Sequence, residues 1–248
     1  MIVDVHTHLG IDRVFDCEMT EEDILITMQK NHIDVSIVQP NFGTVEIESM
    51  RQIHDRIYRM TQKHPGKIFG MATVNPHVSK EVYREEMHRC MKELGFVGIK
   101  LHPFAQACAP NSKDGYMVAE VATELGVPLM IHTGSGIPQS LPSNVIEVAK
   151  AFPDTKFVLA HSGMIITAGE AALAAELCPN IYLGVSWTVP GTIRGFVQKF
   201  GSRRVVFESD EFLNAAAEIA KIGYLDFSDE DYANIMGETA KEVYGLDI

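Results

Sequence analysis

The histidines of this chain are placed where several of them could act together. Ten are present, and several lie within or directly after short apolar runs that have the composition of β-strands. Residues spaced by two face the same side of a strand, so we expect Asp4, His6 and His8 to share a side. The residues expected to converge are Asp4, His6, His8, His132, His161 and Asp210. The histidines expected to be structural or solvent-exposed are His32, His54, His64, His77 and His88.

A converging set of imidazoles and carboxylates suits a transition metal. Three neutral imidazoles and one carboxylate form a nitrogen and oxygen donor set that Zn²⁺ accepts, with one position left for water. A bound cation lowers the pKa of that water towards neutrality, so hydroxide becomes available as a nucleophile. The alternative is a buried polar cluster without a metal, which would place costly ionisable groups in the core without a role.

The elements that must position these groups alternate between strand and helix. Eight apolar runs start on average 29 residues apart, close to the roughly 30 residues of one βαβ unit. Segments with helical periodicity lie between them, and Thr20, Ser79 and Ser112 are candidate N-caps. The pattern predicts an α/β protein, a single-domain (β/α)8 TIM barrel, with an open doubly wound sheet as the alternative. The runs cover residues 2–6, 35–39, 68–74, 96–101, 128–132, 157–161, 181–185 and 205–209.

The composition of the chain makes some functional classes, such as nucleic-acid binding, less favoured than others. The formal net charge of −12 disfavours binding to nucleic acid or to anionic membranes. With 46% hydrophobic and 22% charged residues the chain has a globular composition, and we expect one domain over residues 1–248. The four cysteines are far apart, and neither a leader nor a membrane-spanning apolar run is evident, which predicts a cytoplasmic protein. The expected partner is a small-molecule substrate, and a homo-oligomer is compatible with these features.

The local sequence around the converging positions resembles the amidohydrolase superfamily. The similarity consists of His-x-His in the first strand, single histidines ending the fifth and sixth strands, and an aspartate after the eighth. It extends to the amidohydrolase-related branch, which includes the aminocarboxymuconate-semialdehyde and hydroxybenzoate-type decarboxylases as well as hydrolases. The segments that carry the resemblance are residues 3–8, 95–103, 132–134, 161–163 and 208–210.

The resemblance implies a metal centre with assigned roles. Its implied ligands are His6, His8, His132 and Asp210. His161 resembles the residue that hydrogen-bonds the metal-bound water or the substrate and shuttles protons, and Asp210 is a second candidate proton acceptor. We expect one Zn²⁺ ion in this site.

Two positions depart from the pattern of the branch. Glu208 and Phe212 stand where the branch often has glycine and proline. Glu208 shares its strand parity with Asp210, so we expect its side chain to face the barrel interior and to add an acid near the metal.

Lys100 admits two interpretations. It ends the fourth strand, where binuclear members of the superfamily place a carboxylated lysine that bridges two metals, and His161 would then bind the second ion. A substrate-binding or structural lysine in a mononuclear site is the favoured interpretation. His102 shares the parity of Lys100, and Arg194 is expected in the loop after the seventh strand. We therefore predict that Lys100, His102 and Arg194 contact the substrate.

Two reactions fit this set of residues. The expected one is hydrolysis, in which a Zn²⁺-activated water attacks an amide, lactone or ester of a small carboxylated substrate. The alternative is nonoxidative decarboxylation, in which His161 protonates the carbon as CO₂ leaves and a cationic side chain binds the carboxylate. A third hypothesis is a barrel that binds a metal or a ligand without catalysing a reaction.

Overall fold

One sheet of nine strands organises the molecule, and the computed structural model describes residues 1–12, 16–41 and 46–248. Eight of its strands are parallel and follow one another in chain order, while the short β2 pairs antiparallel with the end of β1. The strands are β1 (Val3–Asp12), β2 (Cys17–Met19), β3 (Val35–Pro40), β4 (Ile68–Ala72), β5 (Gly98–Leu101), β6 (Leu129–His132), β7 (Phe157–Ala160), β8 (Ile181–Gly184) and β9 (Val205–Val206). The hydrophobic runs predicted the eight parallel strands but not β2.

The sheet closes on itself between its last and first strands. Beyond β9 the chain stays extended beside β1, where the Val5 N–H donates to the Phe207 carbonyl at 3.4 Å. The Asp210 N–H donates to the His6 carbonyl at 2.9 Å, and Thr7 and Asp210 form a parallel bridge. These bonds complete a ring of eight parallel strands and confirm the predicted barrel.

Helices connect successive strands, and some of them begin at residues that the sequence identified as caps. Thr20 and Asp23 form a capping box, and the Ser112 hydroxyl accepts the Gly115 N–H. In the described ranges, no helix combines the length and the apolarity that crossing a bilayer requires. The α-helices are α1 (Glu21–Asn31), α2 (Ile47–Lys63), α3 (Lys80–Lys92), α4 (Lys113–Leu125), α5 (Ile146–Ala151), α6 (Ala168–Leu177), α7 (Pro190–Phe200), α8 (Ala215–Gly223), α9 (Asp229–Ala233) and α10 (Thr239–Tyr244), with a π-helical turn at Asn234–Glu238.

Apolar side chains fill one end of the barrel and the layer outside it. Val5, Val158 and Val206 project from the strands into the barrel and pack with Tyr244 of α10, which covers this end. A larger apolar cluster lies between the strands and the surrounding helices. Burying one large aliphatic or aromatic side chain contributes about 1.5–3 kcal/mol, so these contacts hold the barrel together. The polar side chains inside the barrel lie at the opposite end, at the carboxyl ends of the strands.

A bulge in β1 separates Asp4 from the two histidines that follow it. The parallel pairing with β3 shifts register between Asp4 and Thr7. Val5 and His6 therefore both face the barrel interior, whereas Asp4 lies beside Ile24 of α1. The expectation that Asp4 shares a side with His6 and His8 was wrong, because the bulge breaks the alternation. Burial raises the pKa of Asp4 to about 6, against hydrogen bonds from Ser209 that lower it.

A buried hydrogen bond between His54 and Glu86 joins α2 to α3 outside the barrel. His54 Nδ1 lies 2.7 Å from Glu86 Oε1, and His54 Nε2 accepts the Thr73 N–H just after β4. Burial alone would raise the pKa of Glu86, but hydrogen bonds from His54 and Arg89 lower it to about 2. His54 is therefore a structural histidine, as the sequence indicated, and it is fully buried.

Glu86→Gln should lower the free energy of unfolding by about 3 kcal/mol at pH 7, because the pKa of Glu86 is depressed from its ordinary 4.5 to about 2. A depressed carboxyl pKa stabilises the fold above pH 4.5 and ceases to do so as the pH falls towards 2. Urea unfolding at pH 7 and at pH 3 would therefore show a smaller difference between variant and wild type at the lower pH.

Glu85→Gln is the matched control for Glu86→Gln, because Glu85 is the adjacent residue and its side chain is 71% exposed. It should change the unfolding free energy by less than about 0.5 kcal/mol. An equal loss of stability by Glu86→Gln at both pH values would assign its effect to packing rather than to charge.

Candidate functional site

Three ligand atoms meet at the carboxyl ends of the strands. His6 Nε2 lies 3.0 Å from His8 Nε2 and 3.1 Å from Asp210 Oδ1, and His8 Nε2 lies 3.4 Å from Asp210 Oδ1. We call these three atoms the donor triangle. A tetrahedral Zn²⁺ ion with bonds of about 2.0–2.2 Å holds its ligand atoms about 3.3–3.6 Å apart. The triangle is within a few tenths of an ångström of that spacing.

The hydrogen bonds around the donor triangle direct lone pairs into it. His8 Nδ1 lies 3.2 Å from the Pro40 carbonyl, which can only accept, so Nδ1 carries a hydrogen, and in the neutral ring the lone pair is on Nε2. His6 Nδ1 faces a carboxylate oxygen of Glu208 at 3.2 Å. Burial lowers the pKa of His6 well below its ordinary 6.5, so its imidazole is neutral. Facing lone pairs and the carboxylate of Asp210 repel one another unless a cation lies between them, and the site therefore fits a metal ion.

Lys100 brings a cationic group to the same point, as its strand position predicted. Its Nζ lies 2.8 Å from His6 Nε2, and the residue is only 3% exposed. Burial lowers the pKa of Lys100 to about 8, although Asp210 and Glu208 oppose that shift. The ammonium and a metal ion would compete for the same lone pair of His6.

The remaining histidines surround the donor triangle. His161 Nε2 lies 3.8 Å from Asp210 Oδ1, and its ring centroid lies 5.0 Å from that of His6. His132 stacks on His102 with a centroid distance of 4.0 Å, and its ring meets His161 edge-on at 4.9 Å. Burial lowers the pKa of both His102 and His132 well below 6.5. The structure thus gathers all the predicted histidines, with His132 beside His161 and His102.

A left-handed backbone conformation turns the His161 side chain towards the site. β7 ends at Ala160, which faces the barrel interior, so simple alternation would point residue 161 outwards. His161 instead has a φ of 66°, in the left-handed region, and Ser162 continues the turn with a φ of 43°. This conformation costs about 1–3 kcal/mol for a residue with a side chain and is typical of functional sites.

Trp187 is a site residue that the sequence analysis missed. It lies in the loop after β8 with a φ of 57°, and its indole N–H donates to Asp210 Oδ2 at 2.8 Å. Its backbone N–H donates to Glu218 Oε1 at 3.0 Å, while 41% of the residue stays exposed. The sequence could have indicated this residue, because the one tryptophan of the chain comes just after a predicted strand and so lies at the barrel face that carries catalytic groups.

Arg194 does not lie where the sequence predicted. It belongs to helix α7 rather than to the loop after β8, and its guanidinium donates to the Leu225 carbonyl at 3.2 Å. The predicted placement was wrong because α7 begins early, at Pro190, whose fixed φ suits the first turn of a helix. The hydrogen bond holds the guanidinium among the outer helices, so the structure gives no support for its predicted contact with substrate.

Comparisons with known proteins agree with this architecture. The solved 2,6-dihydroxybenzoate decarboxylase from Rhizobium superposes with a TM-score of 0.77 at 16% identity, covering 100% of this chain and 99% of that one. A dihydroxybenzoic acid decarboxylase from Polaromonas, with bound manganese and 2-nitroresorcinol, gives 0.79 at 17% identity, with coverage of 100% and 97%. The 4-oxalomesaconate hydratase from Rhodopseudomonas palustris gives 0.73 at 20% identity, with coverage of 99% and 96%. These likenesses show a shared fold.

The sequence comparison is more specific than the shared fold. The family model described as amidohydrolase matches residues 3–246, a span that contains every member of the donor triangle together with Lys100 and His161. This protein therefore belongs to the amidohydrolase family.

Proposed function

We propose that the protein is a metal-dependent nonoxidative decarboxylase of a small carboxylated substrate. The observation that carries the proposal is the buried Lys100 ammonium, 2.8 Å from a corner of the donor triangle, because it offers a carboxylate a cation beside the metal site. Two of the three solved neighbours described above are decarboxylases, which supports the same choice. Hydrolysis, the reaction expected from the sequence, takes second place.

The donor triangle would hold the metal through His6, His8 and Asp210. The resemblance adds His132 as a fourth ligand. Nitrogen and oxygen donors in this number suit Zn²⁺, while the Polaromonas neighbour holds manganese, so we propose a single divalent ion of either kind. When bound, the ion would bind an anionic oxygen of the substrate and stabilise the negative charge that develops during the reaction. Any ion bound through His6 would require Lys100 to leave its present contact with Nε2, and a second ion would in addition require Lys100 to be carboxylated.

The side chains around the triangle divide the remaining tasks. Lys100 binds and orients the carboxylate, and the indole of Trp187 shields one side of the opening while it holds Asp210. His161 takes up a proton at Nε2 and delivers it to the carbon. The bond between that carbon and the carboxylate breaks, its electron pair stays on the carbon and accepts the proton, and CO₂ leaves. Solvent then returns a proton to His161.

Hydrolysis is a second candidate because His161 also fits the role of a base. Its Nδ1 is engaged by the Ser186 hydroxyl at 2.7 Å, and its Nε2 faces Asp210. An imidazole nitrogen without a hydrogen at that point could accept a proton from an attacking water.

The reaction class can be decided by following both products. We expect incubation with small aromatic and enoic acids to release CO₂ in a one-to-one ratio with a product that lacks the carboxylate and contains no ¹⁸O from labelled water. Carboxylated lactones and amides should remain intact. Incorporation of ¹⁸O into an opened lactone or cleaved amide, without CO₂ release, would reverse the proposal in favour of hydrolysis.

Metal binding should be visible through the one tryptophan of the chain. Because the Trp187 indole is hydrogen-bonded to Asp210, titration of chelator-treated protein with Mn²⁺ should quench its fluorescence and saturate near one equivalent. Asp210→Asn is the control and should weaken the response. Elemental analysis near two metal ions per chain would instead support the binuclear arrangement.

Metal ligands can be separated from the proton shuttle by substitution. His6→Ala and Asp210→Ala should lower the metal content, because each removes a corner of the donor triangle. His161→Ala should keep the metal and lose about 10²- to 10⁴-fold in turnover, the usual contribution of general acid or base catalysis. Metal loss in His161→Ala equal to that in His6→Ala would contradict this division, and His132→Ala tests the fourth ligand in the same assay.

A further inference from the structure

We propose that Glu208 is a positioning residue that selects the tautomers of His6 and His161 and thereby aims both Nε2 atoms at the donor triangle. The residue is completely buried and has the inward parity expected from the sequence. Its two carboxylate oxygens face different histidines, so one side chain controls two others.

The first carboxylate oxygen is a pure acceptor. Glu208 Oε1 accepts the His161 N–H at 2.6 Å and the Ser186 N–H at 3.3 Å. The Ser186 hydroxyl donates to the same oxygen at 2.8 Å. Two backbone N–H groups and one hydroxyl therefore all point at this oxygen, which accepts a hydrogen bond from each of them.

This arrangement determines the tautomer of His161. The Ser186 hydroxyl has a single hydrogen, and it is already directed to Glu208. The 2.7 Å contact between His161 Nδ1 and that hydroxyl therefore requires Nδ1–H to be the donor. His161 Nε2 is left with its lone pair, on the side of Asp210.

The second carboxylate oxygen determines the tautomer of His6. Glu208 Oε2 lies 3.2 Å from His6 Nδ1, which donates its hydrogen to the carboxylate. His6 Nε2 therefore also has a free lone pair, and this nitrogen is the corner of the donor triangle nearest to Lys100. Partners of this kind, behind a ligating histidine, fix its ring orientation and raise its basicity.

The neighbouring strand makes room for this carboxylate. A Cβ atom added at Gly184 of β8 would lie 2.6 Å from Glu208 Cδ, a distance that real Cβ atoms do not reach. The absence of a side chain at Gly184 is therefore what allows Glu208 to lie between the two histidines. Glu208 in its present position therefore requires glycine at position 184.

Glu208→Gln tests the proposal on the full-length chain, labelled with ¹⁵N-histidine and freed of metal. The amide oxygen should remain with the three donors around Ser186, which turns the NH₂ group towards His6 Nδ1. We expect His6 to switch to the Nε2–H tautomer in its ring ¹⁵N spectrum, while His161 keeps Nδ1–H. An unchanged His6 tautomer would overturn the proposal.

Ser186→Ala provides the complementary test, and it applies even if the glutamine variant fails to fold. It removes the acceptor of His161 Nδ1–H, so the tautomer preference of His161 should weaken while that of His6 is kept. Glu86→Gln is the matched control, because it replaces a buried glutamate outside the barrel and should alter neither tautomer. Equal spectral changes in all three variants would reduce Glu208 to a general structural role.

The metal readout rests on the proposed function, whereas the tautomer readout does not. Loss of a histidine partner of this kind costs about 10- to 100-fold in metal affinity, and we expect Glu208→Gln to weaken Mn²⁺ binding by that factor in the Trp187 titration. A switched His6 with unchanged Mn²⁺ affinity would support the role of Glu208 and count against the proposed metal site. Weakened affinity with both tautomers intact would overturn the role of Glu208.

Discussion

Asp210 links the closure of the barrel to the assembly of the site. Asp210 joins the last strand to the first through its backbone N–H, which donates to the His6 carbonyl at 2.9 Å. Its carboxylate then faces His6 and His8 with one oxygen and Trp187 with the other. The backbone bond that helps to close the barrel and the side-chain contacts of the donor triangle thus belong to one residue, so the geometry of the site depends on the seam between β9 and β1.

The same region concentrates backbone strain, and hydrogen bonds hold that strain in place. His161, Trp187 and Asp210 have φ angles of 66°, 57° and 69°. Each costs about 1–3 kcal/mol unless neighbouring groups impose it. The N–H of His161 is bound by Glu208, that of Trp187 by Glu218, and that of Asp210 by the first strand. The buried carboxylates therefore accept hydrogen bonds from strained backbone N–H groups, and they also accept hydrogen bonds from side chains of the site.

Much of the architecture could be predicted from the sequence because it follows from periodicity. Apolar runs spaced by about one βαβ unit are typical of a parallel sheet buried on both faces. The pattern favoured the barrel over an open doubly wound sheet, and it also indicated Thr20 and Ser112 as helix starts. The antiparallel β2 was missed because a three-residue edge strand carries too little pattern. The placement of Arg194 failed because an early helix start at Pro190 has only a weak local signal.

The sequence by itself determined which residues reach the carboxyl end of the barrel, because strand order places the ends of successive parallel strands at one edge. His6, His8, Lys100 and Asp210 meet there as expected. Only the tertiary structure decided the direction and hydrogen placement of those groups. A bulge removed Asp4, and contacts with Glu208, 202 residues away from His6 along the chain, selected a ring tautomer. Such effects arise from register shifts and from partners distant in sequence, and alternation along a single strand carries no information about either.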